Sequence, residues 1–378
     1  MRKIKILHTA DLHLDNGFTA SALPRDIIQE RKKDLLEIFD KIIEVAKVEK
    51  VDLLFIAGDL FEQRLVKLQT IQYVNYQLST LENTRVFILP GNHDPYHLVY
   101  YYKSFPWNFN ITIFTPEYQK VHLKDIGVWI HGMGYGYQEE KRPLLETIQC
   151  EDTEEINILL LHGSDVTNSP SKQSKYLPFN EDDLYNSGFD YIALGHYHKF
   201  MIYKNAYGNP IAAYPGSPEP LGFDEKGMHG IILGEISKGH NIINVLPMAK
   251  RSYHQMEVNI SDCAHIEEIK EKIIQKINPL SPEISLFHIV LKGDFTWEKG
   301  LNIEFLKKQF YQLCYYIQIE DQTDPSYDVD SLIHENTLVS AYILEIQREL
   351  REEKDEKRRK ILKKALSMGI EALKGGGY

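Results

Sequence analysis

Short apolar runs, each halted by a polar cluster, set the rhythm of the first half of the chain. Ile4-Lys5-Ile6-Leu7, Leu53-Leu54-Phe55-Ile56-Ala57, Val86-Phe87-Ile88-Leu89, Ile156-Asn157-Ile158-Leu159-Leu160-Leu161 and Tyr191-Ile192-Ala193-Leu194 are rich in branched side chains and stop at Gly or a polar residue. Runs of this length and composition predict buried strands. Between the first two, Ile27, Ile28, Arg31, Leu35, Phe39, Ile42, Ile43 and Ala46 recur every three to four residues and predict a helix; a second is expected over 68–81. Strand–helix–strand repeats of this kind join parallel neighbours through crossovers, so a largely parallel sheet covered by helices is expected. Val121-His122-Leu123, Val128-Trp129-Ile130-His131, Ile211-Ala212-Ala213-Tyr214 and Ile231-Ile232-Leu233 alternate as further strands. Residues 139–155 read as a helix-rich excursion and 167–177 as a surface loop.

The pattern changes near residue 248. A first domain is expected over 1–248, and 249–321 reads strand, helix (266–277), strand (286–291), helix (303–313), strand (315–319). The Asp-, Pro- and Ser-containing stretch that follows breaks regular structure, which makes 322–334 a linker. Residues 335–378 form a C-terminal helical segment, one helix over 338–373 with a charged middle over 348–360 and a Gly375-Gly376-Gly377 end. A helix polar in its middle and apolar at both ends cannot be buried along its whole length on its own domain.

Five polar clusters sit directly after the first-half strands: Asp11-Leu12-His13, Gly58-Asp59, Gly91-Asn92-His93-Asp94, His162-Gly163 and Gly195-His196-Tyr197-His198. Ligands at the carboxyl ends of neighbouring strands converge at one rim, where open α/β sheets place their sites. Carboxylate, amide and imidazole donors without a thiolate suit Mn²⁺, Fe²⁺ or Zn²⁺ rather than Ca²⁺. Two such ions roughly 3.5–4 Å apart polarise a phosphoryl oxygen, generate hydroxide near neutral pH and clamp an in-line displacement. Asp11, His13 and His198 are assigned to the first ion, and Asn92, His162 and His196 to the second, with Asp59 as the bridge. His93 is left over, placed to bond the transferring phosphoryl group or protonate the leaving oxygen. Asp94 is the candidate for orienting it.

The order DxH, GD, GNHD, H, GHxH resembles that of the calcineurin-like metallophosphoesterases over the first two-thirds of the chain. Within them, Asp11-Leu12-His13-Leu14-Asp15, Gly58-Asp59-Leu60-Phe61, Tyr214-Pro215-Gly216-Ser217-Pro218-Glu219 and Gly222-Phe223-Asp224-Glu225-Lys226-Gly227 resemble the bacterial SbcD-type and YhaO-type DNA-repair exonucleases. The resemblance implies an α/β fold, a four-layer αββα sandwich of two mixed sheets, with 249–321 as a small α/β capping domain. It implies two Mn²⁺ ions, cleavage of DNA phosphodiesters in repair, and a coiled-coil SMC-like ATPase docked on the C-terminal helix. One position departs: the archaeal and eukaryotic relatives carry His where Glu62 stands, so exonuclease polarity and preference for duplex ends do not carry over. Two other readings stay open, a small-molecule phosphodiesterase or nucleotide phosphatase using the same site and a non-catalytic ATPase-binding subunit. An oligomerisation role for 249–321, a solvated C-terminal tail and pairing of two copies into a homodimer are open as well.

Charge narrows the DNA reading. Acidic residues outnumber basic ones, 54 to 43, for a formal net charge of −11. Overall field therefore does not attract nucleic acid, and local basic stretches must supply phosphate contacts. The candidates are Arg25 with Arg31-Lys32-Lys33, Lys172 with Lys175, and Lys199 with Lys204. Tyr96, Tyr100, Tyr101 and Tyr102 offer rings for unpaired bases or for loop packing. His8 and His131 are expected inside rather than as ligands. Cys150, Cys263 and Cys314 lie in no metal-binding spacing and speak for free thiols in a reducing compartment. With no signal-peptide pattern at the start and no bilayer-length apolar stretch, a cytoplasmic, non-membrane location is expected.

Overall fold

A computed structural model describes residues 3–19, 23–150, 154–169, 173–295, 301–325, 329–334 and 336–374. Lys172 and Gly375 to Gly377 lie outside the described residues. The chain divides into two compact units, Met1–Ser252 and Tyr253–Tyr378.

In the first unit the order is β1 (Ile4–Thr9), α1 (Arg25–Glu49), β2 (Leu53–Ala57), α2 (Leu68–Ser79), β3 (Arg85–Leu89), α3 (Tyr101–Ser104), β4 (Ile111–Ile113), β5 (Gln119–Leu123) and β6 (Val128–Gly132). There follow α4 (Leu144–Thr147), β7 (Ile156–His162), α5 (Glu181–Asn186), β8 (Tyr191–Gly195), β9 (Met201–Lys204), β10 (Pro210–Tyr214), β11 (Gly230–Ser237) and β12 (His240–Pro247). They form two six-stranded sheets, ordered β12-β11-β1-β2-β3-β4 and β5-β6-β7-β8-β10-β9. Both are mixed: β1, β2, β3 and β4 run parallel, as do β6, β7, β8 and β10, while β11 and β9 pair antiparallel with their neighbours.

Alternation along the strands explains the two layers. Ile4, Ile6, Leu53, Phe55, Phe87 and Leu89 of the first sheet meet Val128, Ile130, Ile158, Leu160 and Ala193 of the second in one core. Leu159, Leu161, Ile192 and Leu194, on the other face of the second sheet, pack with Leu144, Leu145 and Leu184 of α4 and α5. Strands buried on both faces lose their alternation and read as continuous apolar runs. Helix α1 buries Leu35, Ile38, Phe39, Ile42 and Ile43 along one stripe.

Arg31 lies on that buried stripe, 0% exposed, and bonds Asp34 at 2.7 Å, Glu219 at 2.6 Å and the Pro220 carbonyl at 3.0 Å. Arg251 reaches the same Asp34 at 3.0 Å. Arg31 therefore drops out of the basic stretches expected to touch phosphate: buried guanidinium is held there by its carboxylate partners. Residues 139–155 are also less helical than their composition predicts, since among the described ones only Leu144–Thr147 forms a helix.

The second unit holds β13 (Ser252–Asn259), α6 (Ile266–Ile277), β14 (Ser285–Lys292), β15 (Asp294–Phe295), α7 (Ile303–Lys308), β16 (Tyr316–Asp321), β17 (Asp324–Pro325), α8 (Val329–Leu332), α9 (Leu338–Glu352) and α10 (Glu356–Lys374). Its three-stranded sheet, β13-β14-β16, buries Val258, Phe287, Ile289 and Ile317 against Ile269 and Ile273 of α6. The single C-terminal helix expected from the sequence is two helices. They break at residues 353–355, where Arg359 Nη1 donates to the carbonyls of Leu350 and Glu353 and so caps α9. Tyr342 Oη donates to the Ala365 carbonyl at 2.7 Å, and Ile343 is buried with Ile370, so the apolar ends pack on each other. Folding back solves the burial problem that a charged middle poses for one long helix.

His8 shows how tightly β1 is held. Its Nδ1 lies 3.0 Å from Tyr191 Oη and its Nε2 3.0 Å from the Leu194 carbonyl. Burial pushes its pKa down from 6.5 to about 3. A lowered base pKa means the unfolded chain binds a proton that the folded chain refuses, so stability falls with pH between about 6.5 and 3, by about 1.4 kcal/mol per pH unit. Urea denaturation in EDTA at pH 6.5 and 5.0 is expected to show His8→Gln losing roughly 2 kcal/mol less than wild type over that interval. Equal losses would remove His8 from the acid sensitivity.

Candidate metal centre

The clusters are held in place by an extension of the β1–β2 pairing past the ends of the strands. Asp11 N donates to the Gly58 carbonyl (3.1 Å), His13 N to that of Asp59 (2.9 Å) and Leu14 N to that of Leu60 (2.9 Å). This lattice holds Asp11, His13 and Asp59 at φ values of 54°, 48° and 52°, and His196 sits at 110°. Left-handed backbone at a non-glycine residue costs on the order of 1 kcal/mol or more and persists where the surroundings over-determine it. Two glycines make room for one bond. A Cβ on Gly58 would overlap His162 Nδ1, and one on Gly195 would overlap the Ala57 carbonyl oxygen. His162 Nδ1 donates to that same oxygen at 2.9 Å.

That bond places the ring proton on Nδ1 and turns the Nε2 lone pair inward. Nε2 then faces Asn92 Oδ1 at 3.0 Å and Asp59 Oδ2 at 3.3 Å, and His196 Nδ1 faces Asn92 Oδ1 at 3.1 Å. Around the first ion's position, His13 Nε2 lies 3.2 Å from His198 Nε2 and 3.8 Å from Asp59 Oδ2, with Asp11 Oδ1 4.0 Å from His198 Nε2. Asp11, His13 and His198, and again Asp11, Asp59 and His162, bring one donor atom each within 4.8 Å of one another. Lone pairs converging this closely repel unless a cation or a proton sits among them, so the donors fit a pair of divalent ions. All seven ligands named from the sequence are brought to this rim. Asp59 divides its carboxylate: Oδ1 accepts from His93 N at 2.8 Å, which leaves Oδ2 between the two halves.

Electrostatics tell the same story. Burial pushes the His162 pKa down, but the Asp59 charge and hydrogen bond outweigh it and raise the value to about 9. His198 is likewise lowered by burial and raised more strongly by Glu225 and Asp11, to about 9. His196 is driven down to about 3 by burial and by His162. Protons thus compete for the ligand positions, and ion binding must release them.

His93 is exposed, its Nδ1 3.3 Å from Glu62 Oε2, and the Glu62 hydrogen bond raises its pKa. Glu62 also faces His13 Nδ1 at 3.6 Å. Asp94 does not meet the His93 ring. It is fully buried and accepts from Asp59 N (3.2 Å), Phe61 N (3.0 Å), Gly91 N (2.7 Å) and Tyr102 Oη (2.6 Å), stapling the GD and GNH turns together. Tyr102 is therefore tied to the site through Asp94, while Tyr100 stays exposed.

Sequence reasoning missed Glu225, whose Oε1 accepts from His198 Nδ1 at 2.6 Å. Its other oxygen is held by Ser217 Oγ (3.1 Å) and Leu221 N (3.0 Å). A carboxylate behind a histidine ligand fixes its tautomer and raises its basicity, and losing it costs roughly 10–100-fold in metal affinity. Titration calorimetry with Mn²⁺ is expected to show Glu225→Gln weakening one of two binding events by that factor and Asp59→Ala weakening both. Two unchanged binding events in Glu225→Gln would exclude the supporting role.

The model of the calcineurin-like phosphoesterases matches residues 4–200, just over half of the 378-residue chain. The metallophosphoesterase YhaO of Bacillus subtilis (strain 168) is 31% identical over 246 residues, covering 62% of this chain and 58% of that protein. The DNA double-strand break repair protein Mre11 of Methanopyrus kandleri is 25% identical over 319 residues, 74% of this chain and 66% of that protein. Mre11 of Saccharolobus solfataricus is 24% identical over 336 residues, 85% and 83%. The chain thus spans less than two-thirds of the first two of these relatives. With the motif order, the paired ligand sets and the match over 4–200 in agreement, the chain belongs to the calcineurin-like phosphoesterase family.

Proposed function

We propose that this protein is a Mn²⁺-dependent DNA nuclease that works in DNA repair with a coiled-coil ATPase. The observation that carries phosphodiester hydrolysis is the exposed His93 beside two ligand sets that share Asp59. Two bound divalent ions supply Lewis acidity and an activated water for in-line attack on phosphorus. His93, steadied by Glu62, bonds the phosphoryl group and delivers a proton to the departing sugar oxygen. Support for DNA comes from the likeness to the repair protein Mre11, which covers 85% of this chain and so reaches past residue 252 into the second unit. In this reading the second unit's sheet, within 249–321, is the cap, and the α9–α10 hairpin docks the ATPase. Exposed Leu344, Ile361 and Met368 on those helices are the apolar surface that helix-in-groove binding uses.

The test is Mn²⁺-dependent degradation of end-labelled linear duplex DNA, wild type beside His93→Ala. Wild type is expected to release label. His93→Ala is expected to bind Mn²⁺ as wild type does and to turn over roughly 10²–10⁴-fold more slowly. Normal turnover by His93→Ala would remove the acid role. A wild type that hydrolyses bis(p-nitrophenyl) phosphate but leaves DNA intact, with and without the ATPase, would replace the nuclease by a small-molecule phosphodiesterase.

A further inference from the structure

Two cavities open on the first unit's metal-ligand rim, and His198, Asp224 and Glu225 line both. One, about 520 Å³, is also lined by His13, Glu62, Arg64 and His93 and is the reaction site itself. The other, also about 520 Å³, is lined by Lys199, Asp224, Lys226 and His229. The mechanism above uses none of those four.

We propose that this second cavity is a subsite for the nucleotide next to the scissile phosphate, with its phosphate on Lys199 and Lys226 and its sugar or base donor on His229. The proposal rests on the nuclease reading and adds where the strand runs. Both oxygens of Glu225 are already engaged, by His198 Nδ1, Ser217 Oγ and Leu221 N. Among the described residues neither lysine has an ion pair, and both are exposed, which leaves two unpaired cations at the cavity beside Asp224 and Glu225. In an acidic chain, unpaired cations on one cavity are what a phosphate contact requires.

His229 specifies more than an anion. It is 6% exposed, and its Nδ1 lies 3.0 Å from both the carbonyl and the hydroxyl of Ser217; the carbonyl can only accept, and the hydroxyl proton goes to Glu225. The ring proton is therefore on Nδ1, and Nε2 is an acceptor. Nε2 is buried and has no hydrogen-bond partner among the described residues. Buried polar atoms rarely stay unpaired, and the missing group is an N–H or O–H. A free phosphate at neutral pH is poor in donors, whereas a nucleotide carries them on sugar and base. Tyr197, fixed by its hydroxyl on the Asp165 carbonyl at 3.0 Å, and Met201 supply the apolar wall on which a base rests. The volume lies in the range of small-ligand pockets, roughly 300–1,000 Å³.

The test compares wild type with the Lys199→Ala/Lys226→Ala double variant in Mn²⁺, on a single-stranded oligonucleotide and on bis(p-nitrophenyl) phosphate. The oligonucleotide KM is expected to rise about tenfold in the double variant, several-fold more than KM for the small diester. Its dependence on log salt should become shallower by roughly 0.7, the value for one phosphate contact on a single strand. Asp224→Asn should shift the oligonucleotide KM the other way. Equal changes on both substrates, or an unchanged oligonucleotide KM, would overturn the subsite and leave the nuclease reading standing. If wild type cleaves only the small diester, the nuclease reading fails. Binding of deoxyadenosine 5′-monophosphate in EDTA then decides the subsite: weaker binding by the double variant supports it, and equal binding ends it.

Discussion

The division of the Asp59 carboxylate between two tasks is the constraint on which the rest of the rim depends. One oxygen holds the backbone of His93 and the other faces both groups of histidines. This only works if Asp59 sits in left-handed backbone at the end of β2, and several contacts force it there. The carbonyl of Gly58 before it accepts from Asp11, its own carbonyl accepts from His13, and its own N–H is held by Asp94. Cooperative over-determination of this kind explains how Asp11, His13 and Asp59 persist in left-handed backbone.

Much of this was legible in the amino-acid order. A strand that stops at Gly-Asp or Gly-His delivers its ligand at a predictable place, so the clusters at Asp11, Asp59, Asn92, His162 and His196 could be assembled without coordinates. What stayed hidden were partners remote in sequence with no periodic signal. Glu225 stands 27 residues after His198 in an irregular loop, and nothing local marks it as that histidine's support. Asp94 misled because adjacency to His93 suggests contact, whereas successive residues of a tight turn point apart. Arg31 misled for the opposite reason: a charge flanked by Lys32 and Lys33 looks solvated, yet its place on the apolar stripe of α1 buries it. The break at 353–355 carries neither Gly nor Pro, so only the pairing of Tyr342 and Ile343 with the far helix reveals it.

The cavity at the rim is lined by Glu62, Asp224 and Glu225, by Arg64 and by His13, His93 and His198. Divalent cations held there would make the field that a phosphate meets more positive, which would tie binding as well as chemistry to the metal.

The ligands also come from both layers of the sandwich. Asp11, His13, Asp59 and Asn92 follow strands of the first sheet, while His162, His196 and His198 end or follow strands of the second. An ion held by these candidate ligands would act as a removable cross-link between the sheets, much as a disulfide does, except that its strength would be set by free metal and by acidity. Resistance to unfolding should then track metal supply, so that in a metal-starved cell the protein would lose rigidity at the same moment it loses the means to cut.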